Sequence, residues 1–173
     1  VAVDGDQASI QPEFYLNSSR NDGLIEADEI TGQYKMGLPI SLEKVDNRRR
    51  RDDAVDVLLE RFHALTFIIY GLADYIVGEY ADAEDGFGQA LKIAAWDNTE
   101  VIYVMLGNAA LKQKLFGDAE EYYRLALEKN DKYSRAYVGW GSALYGKAQD
   151  NGEATDYSKI DRELLNQSID TYQ

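Results

Sequence analysis

Cysteine is absent from the 173 residues, which excludes disulfide bridges, thiol nucleophiles and cysteine-ligated zinc. A single histidine, His63, puts zinc sites built from two or three imidazoles out of reach, and any Ser-His-Asp triad would have to use it. Positive charge is scarce: Lys and Arg total 18 against 31 Asp and Glu, a net charge of −13. Phosphate binding needs a basic footprint, so a surface of this sign disfavours DNA, RNA and anionic membranes, and no nucleic-acid partner is expected. Long apolar runs are missing too. The longest uncharged run in the central helical region, residues 64–73, falls short of the ~20 residues a spanning helix needs, so no membrane insertion is expected. No Gly-rich phosphate-cradling motif occurs, and no cofactor is expected. The lack of cysteine leaves the compartment open, with the cytoplasm slightly favoured.

What is present divides in two. Residues 1–45 form an N-terminal extended or β-hairpin-like segment, expected to be the remnant of a preceding domain or to pack on the rest of the chain. Asp4-Gly5-Asp6 has turn chemistry, and Ala8, Ile10, Phe14 and Leu16 alternate as strand residues do. Residues 17–23 carry loop residues, and Tyr34, Met36 and Leu38 alternate again before Pro39. The pattern predicts two or three short extended pieces, too few to fold alone. The chain opens on Val1 rather than Met, and is expected to be a fragment or processed piece of a larger, bacterial multidomain protein.

From Asp52 the period changes. Val55, Leu58, Leu59, Phe62, Leu65, Ile69, Leu72, Ala73 and Ile76 recur every three or four residues, predicting one apolar face of a long helix. Asp52 and Asp53 are placed to cap its start and Gly78 to stop it. Further helices are expected over about 81–95, from near Asp97-Asn98-Thr99, after Gly117-Asp118, and after Ser134. This is a mostly α fold, a stack of helical hairpins.

The hairpins share a frame. Gly71, Gly107 and Gly141 lie 36 and 34 residues apart. In the first two copies a small residue follows twelve positions on (Ala83, Ala119), an aromatic sixteen on (Phe87, Tyr123), and an alanine nineteen on (Ala90, Ala126). An aromatic precedes each glycine by four: Phe67, Tyr103 and Tyr137. This register resembles the tetratricopeptide repeat (TPR), whose period is about 34 and whose signature runs aromatic, Leu-Gly, Ala, aromatic, Pro. Leu106-Gly107-Asn108-Ala109-Ala110 followed by Gly117-Asp118-Ala119 and Tyr122-Tyr123-Arg124-Leu125-Ala126-Leu127 is the closest match. Asp131 stands where that family often has Pro, and Asp74 and Ala110 replace larger residues. Three repeats are delimited at about 64–99, 100–133 and 134–173 within a helical domain of residues 46–173. Small residues mark where helices cross most closely, and Phe67, Tyr103, Trp140 and Tyr123 are predicted core, at a cost of about 3–5 kcal/mol if such a ring is cut to Ala. In the third copy an insertion near 146–158 delays the second helix, whose small and aromatic slots fall at Ser168 and Tyr172.

The resemblance implies an α–α superhelix whose first helices line a concave, peptide-binding groove. By register the groove residues are Ile68, Leu72 and Tyr75 in the first copy, with Leu65 and Ile76 beside them. Val104, Asn108, Leu111 and Lys112 follow in the second, with Val101 beside them. Val138, Ser142 and Tyr145 follow in the third, flanked by Arg135 and Gly146. The subfamily that grips acidic peptide tails uses Lys, Asn and Arg at two of these positions, and only Asn108 fits. The groove is apolar and tyrosine-bearing, suited to an amphipathic helix or extended apolar peptide, with about 1.5–3 kcal/mol for each buried Leu or Phe of the partner. The competing expectation is that the N-terminal segment already covers this surface. Self-association through the open helical end at Tyr172 is a further route to partners.

Other constellations are weak. Glu60 and His63 share a helical face but lack the second pair of a di-metal bundle site. Residues 18–29 imitate a calcium loop with Ser18 and Arg20 where carboxylates are needed. Glu26-Asp28-Glu29 and Asp82-Glu84-Asp85 suit solvated faces, and Arg48-Arg49-Arg50-Arg51 has Asp46, Asp52 and Asp53 for local pairing. The expected function is a non-enzymatic protein-interaction module. The alternative is a structural or self-associating array with its groove occupied by its own chain.

Overall fold

The computed structural model describes residues 2–4, 7–16, 32–37, 39–43, 48–93 and 98–150. Where two or three extended pieces are expected, five short strands form among the described residues: β1 (Ala2–Asp4), β2 (Gln7–Ile10), β3 (Glu13–Leu16), β4 (Gly32–Lys35) and β5 (Ile40–Glu43). β1, β2 and β5 make one antiparallel sheet, with Asp4 opposite Gln7 and Ile10 opposite Ile40. β3 and β4 make a second, with Phe14 opposite Tyr34. The period of two decides which side faces inward. Glu13, Tyr15, Gln33 and Lys35 are exposed, while Phe14, Leu16, Tyr34 and the adjoining Met36 turn toward the helices. Gln11 Nε2 donates to the Gly37 carbonyl at 2.6 Å, and the Met36 amide to that of Pro12 at 2.9 Å, tying the two stretches together. The expected loop at 17–23 and the expected strand residue Leu38 lie outside the described residues.

After the strands come five helices among the described residues: α1 (Arg48–Val77), α2 (Tyr80–Ile93), α3 (Glu100–Lys112), α4 (Phe116–Lys129) and α5 (Ser134–Asp150). Each packs on the next, and α3 also meets α5, which is the contact order of stacked hairpins. The fold is therefore mostly α, an α–α superhelical stack with a short N-terminal β segment. No strand occurs between 52 and 130 among the described residues. None of the helices among the described residues is long and apolar enough to cross a membrane.

Two expectations for α1 need correction. It begins at Arg48, so Asp52 and Asp53 are exposed residues of its second turn rather than caps. Arginine is a good helix former, and four in succession carry the helix toward the N-terminus. Its apolar residues also occupy two faces instead of one. Ala64, Ile68, Leu72 and Tyr75 are buried, whereas Val55, Leu59, Phe62 and Ile69 are exposed.

The end of α1 falls at Gly78 as expected. Gly78 has φ +87°. Its amide donates to Tyr75 O at 3.2 Å and that of Glu79 to Asp74 O at 2.9 Å, the paired bonds of a Schellman cap. Thirty-six residues later the end of α3 repeats the device. The amide of Lys114, at φ +62°, donates to Leu111 O, and that of Leu115 donates to Ala110 O at 2.9 Å.

Close approach at the helix crossings explains the other glycines. A Cβ on Gly71 would lie 2.7 Å from the Phe87 ring, and one on Gly107 would lie 2.7 Å from the Tyr123 ring. One on Gly86 would lie 2.9 Å from the backbone of Gly71. Gly139 meets Tyr123 from the following helix, while the partners expected for Gly141, Ser168 and Tyr172, lie outside the described residues. Tyr123 is thus fully buried between Gly107 of its own hairpin and Gly139 of the next. Phe67, Tyr103 and Trp140 are half-buried at the edges of the core. Glu84 of α2 joins neighbouring hairpins by accepting from Tyr122 Oη at 3.0 Å and Gln113 Nε2 at 2.9 Å. The expected insertion at 146–158 begins inside α5, where Gly146 packs on the Phe116 ring. The slots at Ser168 and Tyr172 lie outside the described residues.

Candidate interaction surface

The predicted groove residues divide sharply by copy. In the first, Ile68 is 1% exposed, and Leu72 and Tyr75 are equally enclosed. They share one cluster with Val101, Met105 and, from the N-terminal segment, Tyr34 and Met36. Phe14 and Leu16 pack against the same cluster, as do Leu65 and Ile76. These predicted groove positions are therefore part of a core that the β3–β4 pair also joins.

Local chemistry fixes that pair in place. Tyr34 stacks on Phe14 with ring centroids 5.0 Å apart. Arg135, at the start of α5, places its guanidinium 5.3 Å from the centre of the Tyr34 ring and donates a hydrogen bond to the Tyr34 hydroxyl. The arginine passes directly over Gly32, where a Cβ would lie 2.6 Å from its Nη2; at φ +144° that backbone also favours glycine. Burial pushes the Tyr34 phenol up, opposed by the Arg135 charge. Tyr133 is raised to about 12, chiefly by burial, with Tyr34 and Glu100 adding and Arg135 opposing. Between β4 and the start of α3 remains a cleft of about 220 Å³, bordered by Lys35, Glu100, Asn130 and Tyr133. That is below the ~300–1,000 Å³ of an ordinary ligand pocket and far too small for a partner helix.

In the second copy Val104 is buried and Leu111 and Lys112 are half-buried. Asn108 is expected either to meet a peptide backbone or to be solvated. Its side-chain oxygen accepts from the Tyr123 hydroxyl at 2.7 Å, which anchors the aromatic wedge of its own hairpin.

The third copy differs. Val138 is 64% exposed and Tyr145 48%, with Ser142 exposed between them. The Ser142 hydroxyl turns back to Val138 O at 3.0 Å, and Tyr145 Oη accepts from Gln149 at 2.6 Å. Both are bonds within α5. The edge of Trp140 is buried nearby, its Nε1 without an acceptor among the described residues. Equivalent repeat positions are therefore core in one copy and open surface in another.

His63 is exposed, its ring 5.5 Å from that of Phe67. No group of three or more His, Asp or Glu that could hold a metal occurs among the described residues. The calcium-like run at 18–29 lies outside them. The arginine run at 48–51 forms the first turn of α1. Sequence reasoning placed Arg135 beside the groove and missed its part as a clamp. Its partner Tyr34 is 101 residues away, and no local pattern links the two.

No protein-family model matches the chain, and a search of curated proteins finds no significant similarity.

Proposed function

We propose that the chain is a non-enzymatic interaction module of the tetratricopeptide type, and that its own N-terminal hairpin occupies the concave face of the first two hairpins. Partner binding then falls to the third, where Val138, Ser142 and Tyr145 form the open continuation of the groove. The observation that carries this reading is the contrast between Ile68 and Val138, equivalent by register, at 1% and 64% exposure. The repeat assignment is supported by Gly71 on Phe87 and Gly107 on Tyr123, the same contact sixteen residues apart in both copies. It is also supported by Gly78 and Lys114 in matching turns. The partner chemistry that fits is a short apolar or amphipathic peptide segment, with one or two large side chains against Val138 and Tyr145.

Peptides selected on the full chain from a random display library, followed by chemical-shift mapping, test the reading. Shifts should centre on 138–145, and a Val138→Glu, Tyr145→Glu pair should weaken binding at least tenfold. A Val104→Glu, Asn108→Ala pair should act only through lost stability. Shifts centred elsewhere would refute the assignment.

A second reading has its own support. The burial of Tyr34 and Met36 against the groove fits an array whose main task is to order its own chain. Under that reading no selected peptide would bind at 138–145.

A further inference from the structure

The outer face of α1 carries more exposed apolar surface than any groove position. Val55, Leu59, Phe62, Ile69, Tyr70 and Val77 are between 51% and 72% exposed, all on the side away from Ala64, Ile68 and Tyr75. Their spacing is not random. Positions 55, 62 and 69 are seven apart, and so are 59, 66 and 73, where Thr66 and Ala73 supply small side chains. That is the a/d alternation of a helix-pairing seam, with the period of 3.5 that keeps one stripe facing a partner helix.

Helix length makes the same point. α1 has 30 residues and its hairpin partner α2 has 14. At 1.5 Å per residue α2 spans ~21 Å of the ~45 Å of α1, so the N-terminal half of α1 extends beyond its hairpin. A helical segment of about four turns with apolar residues in water is only marginally stable without a second surface.

We propose that this stripe is the seam of an antiparallel homodimer, α1 against α1 of a second copy, with the two-fold axis at Thr66. This goes beyond the groove reading and uses a different face. An axis at 66 sets Leu59 opposite the small Ala73, the Phe62 ring opposite that of Tyr70, Val55 opposite Val77 and Ile69 opposite the exposed His63. The extended half of each copy then covers the bare 69–77 stripe of the other.

Area and charge both favour this occupant. The six exposed side chains carry on the order of 700 Å² per copy, close to the ~800 Å² per partner of a standard stable interface. The first turn, residues 48–51, carries four arginines and reaches past the end of the partner helix at Val77, toward the stretch that holds Glu79, Asp82 and Glu84. A parallel pairing would instead bring the two arginine runs together, which like charges oppose.

Sedimentation of the full 173-residue chain across a dilution series tests the proposal. A reversible dimer is expected at about 10 μM, and a Leu59→Glu, Phe62→Glu pair should weaken it at least ~100-fold with helical circular dichroism unchanged. Because the chain has no cysteine, single-cysteine variants report the geometry. Thr66→Cys should cross-link to itself. Val55→Cys should not, since its two copies would sit ~33 Å apart, yet it should cross-link in a mixture with Val77→Cys. A wild type that stays monomeric at roughly 300 μM overturns the proposal and leaves the face to another chain segment or partner. A dimer that survives the glutamate pair, or that cross-links 55 to 55, overturns it equally.

Discussion

At the scale of single residues, two glycines two positions apart in α2 sit in opposite environments. A Cβ on Gly86 would lie 2.9 Å from the Cα and N of Gly71, backbone that cannot move aside without parting α1 from α2. A Cβ on Gly88 would meet nothing within 4 Å. Gly86→Ala should therefore destabilise by about 1–3 kcal/mol through overpacking. Gly88→Ala should stabilise by roughly 0.5–1 kcal/mol by lowering the entropy of the unfolded chain. Urea titration of both variants checks the opposite signs. The turn after α3 offers a related gain. Lys114 holds φ +62° where Gly78 does the same task in the first hairpin. A left-handed conformation costs a side chain about 1–2 kcal/mol, so Lys114→Gly should raise the denaturation midpoint by about 1 kcal/mol of stability. A lower midpoint would mean that the lysine side chain contributes more than its backbone costs.

At the scale of elements, the helices and the glycine register were legible in the sequence because both depend on neighbours within a few turns. Gly78 ends α1, and Gly71 and Gly107 mark crossings, since only small residues fit there. The two-faced character of α1 was not legible. Heptad spacing of Val55, Phe62 and Ile69 and hairpin spacing of Ala64, Ile68 and Tyr75 interleave in one helix, and a single strip of sequence reads as one broad face. The docking of β4 against the helices is not legible either, because it depends on residues far apart in the chain, Tyr34 and Arg135 above all. That clamp is testable. Arg135→Ala removes the cation over the buried Tyr34 ring and a part-buried hydrogen bond, and should cost about 1–2 kcal/mol. Hydrogen exchange in β3 and β4 should accelerate while that in α3 and α4 stays protected. Uniform acceleration would show that the hairpin and the helices open as one unit instead.

At the scale of the whole molecule, tyrosines join the segments alongside the ion pair between Lys147 of α5 and Glu120 of α4. Tyr122 links α4 to Glu84 of α2, and its pKa rises from 10.0 to about 12. Burial is the main cause, followed by the hydrogen bond to Glu84 and by the negative charges of Glu84, Asp118 and Glu121. Tyr133 rises to about 12 and Tyr34 rises too, both chiefly through burial. Above pH 10 the unfolded chain releases these phenolic protons while the folded chain retains them. The unfolded state then binds fewer protons, and stability must fall with pH. The contribution is complete below the unfolded value of 10.0 and is lost as pH climbs to about 12. Urea midpoints should therefore hold level up to about pH 10 and drop between 10 and 12. Tyr122→Phe with Tyr133→Phe should start from a lower midpoint at neutral pH, because the bond to Glu84 is gone, yet decline less steeply above pH 10. If the double variant declines as steeply as the wild type, the alkaline loss comes instead from deprotonation of the lysines, which leaves the repulsion among the carboxylates uncompensated. Added salt would then flatten both curves alike.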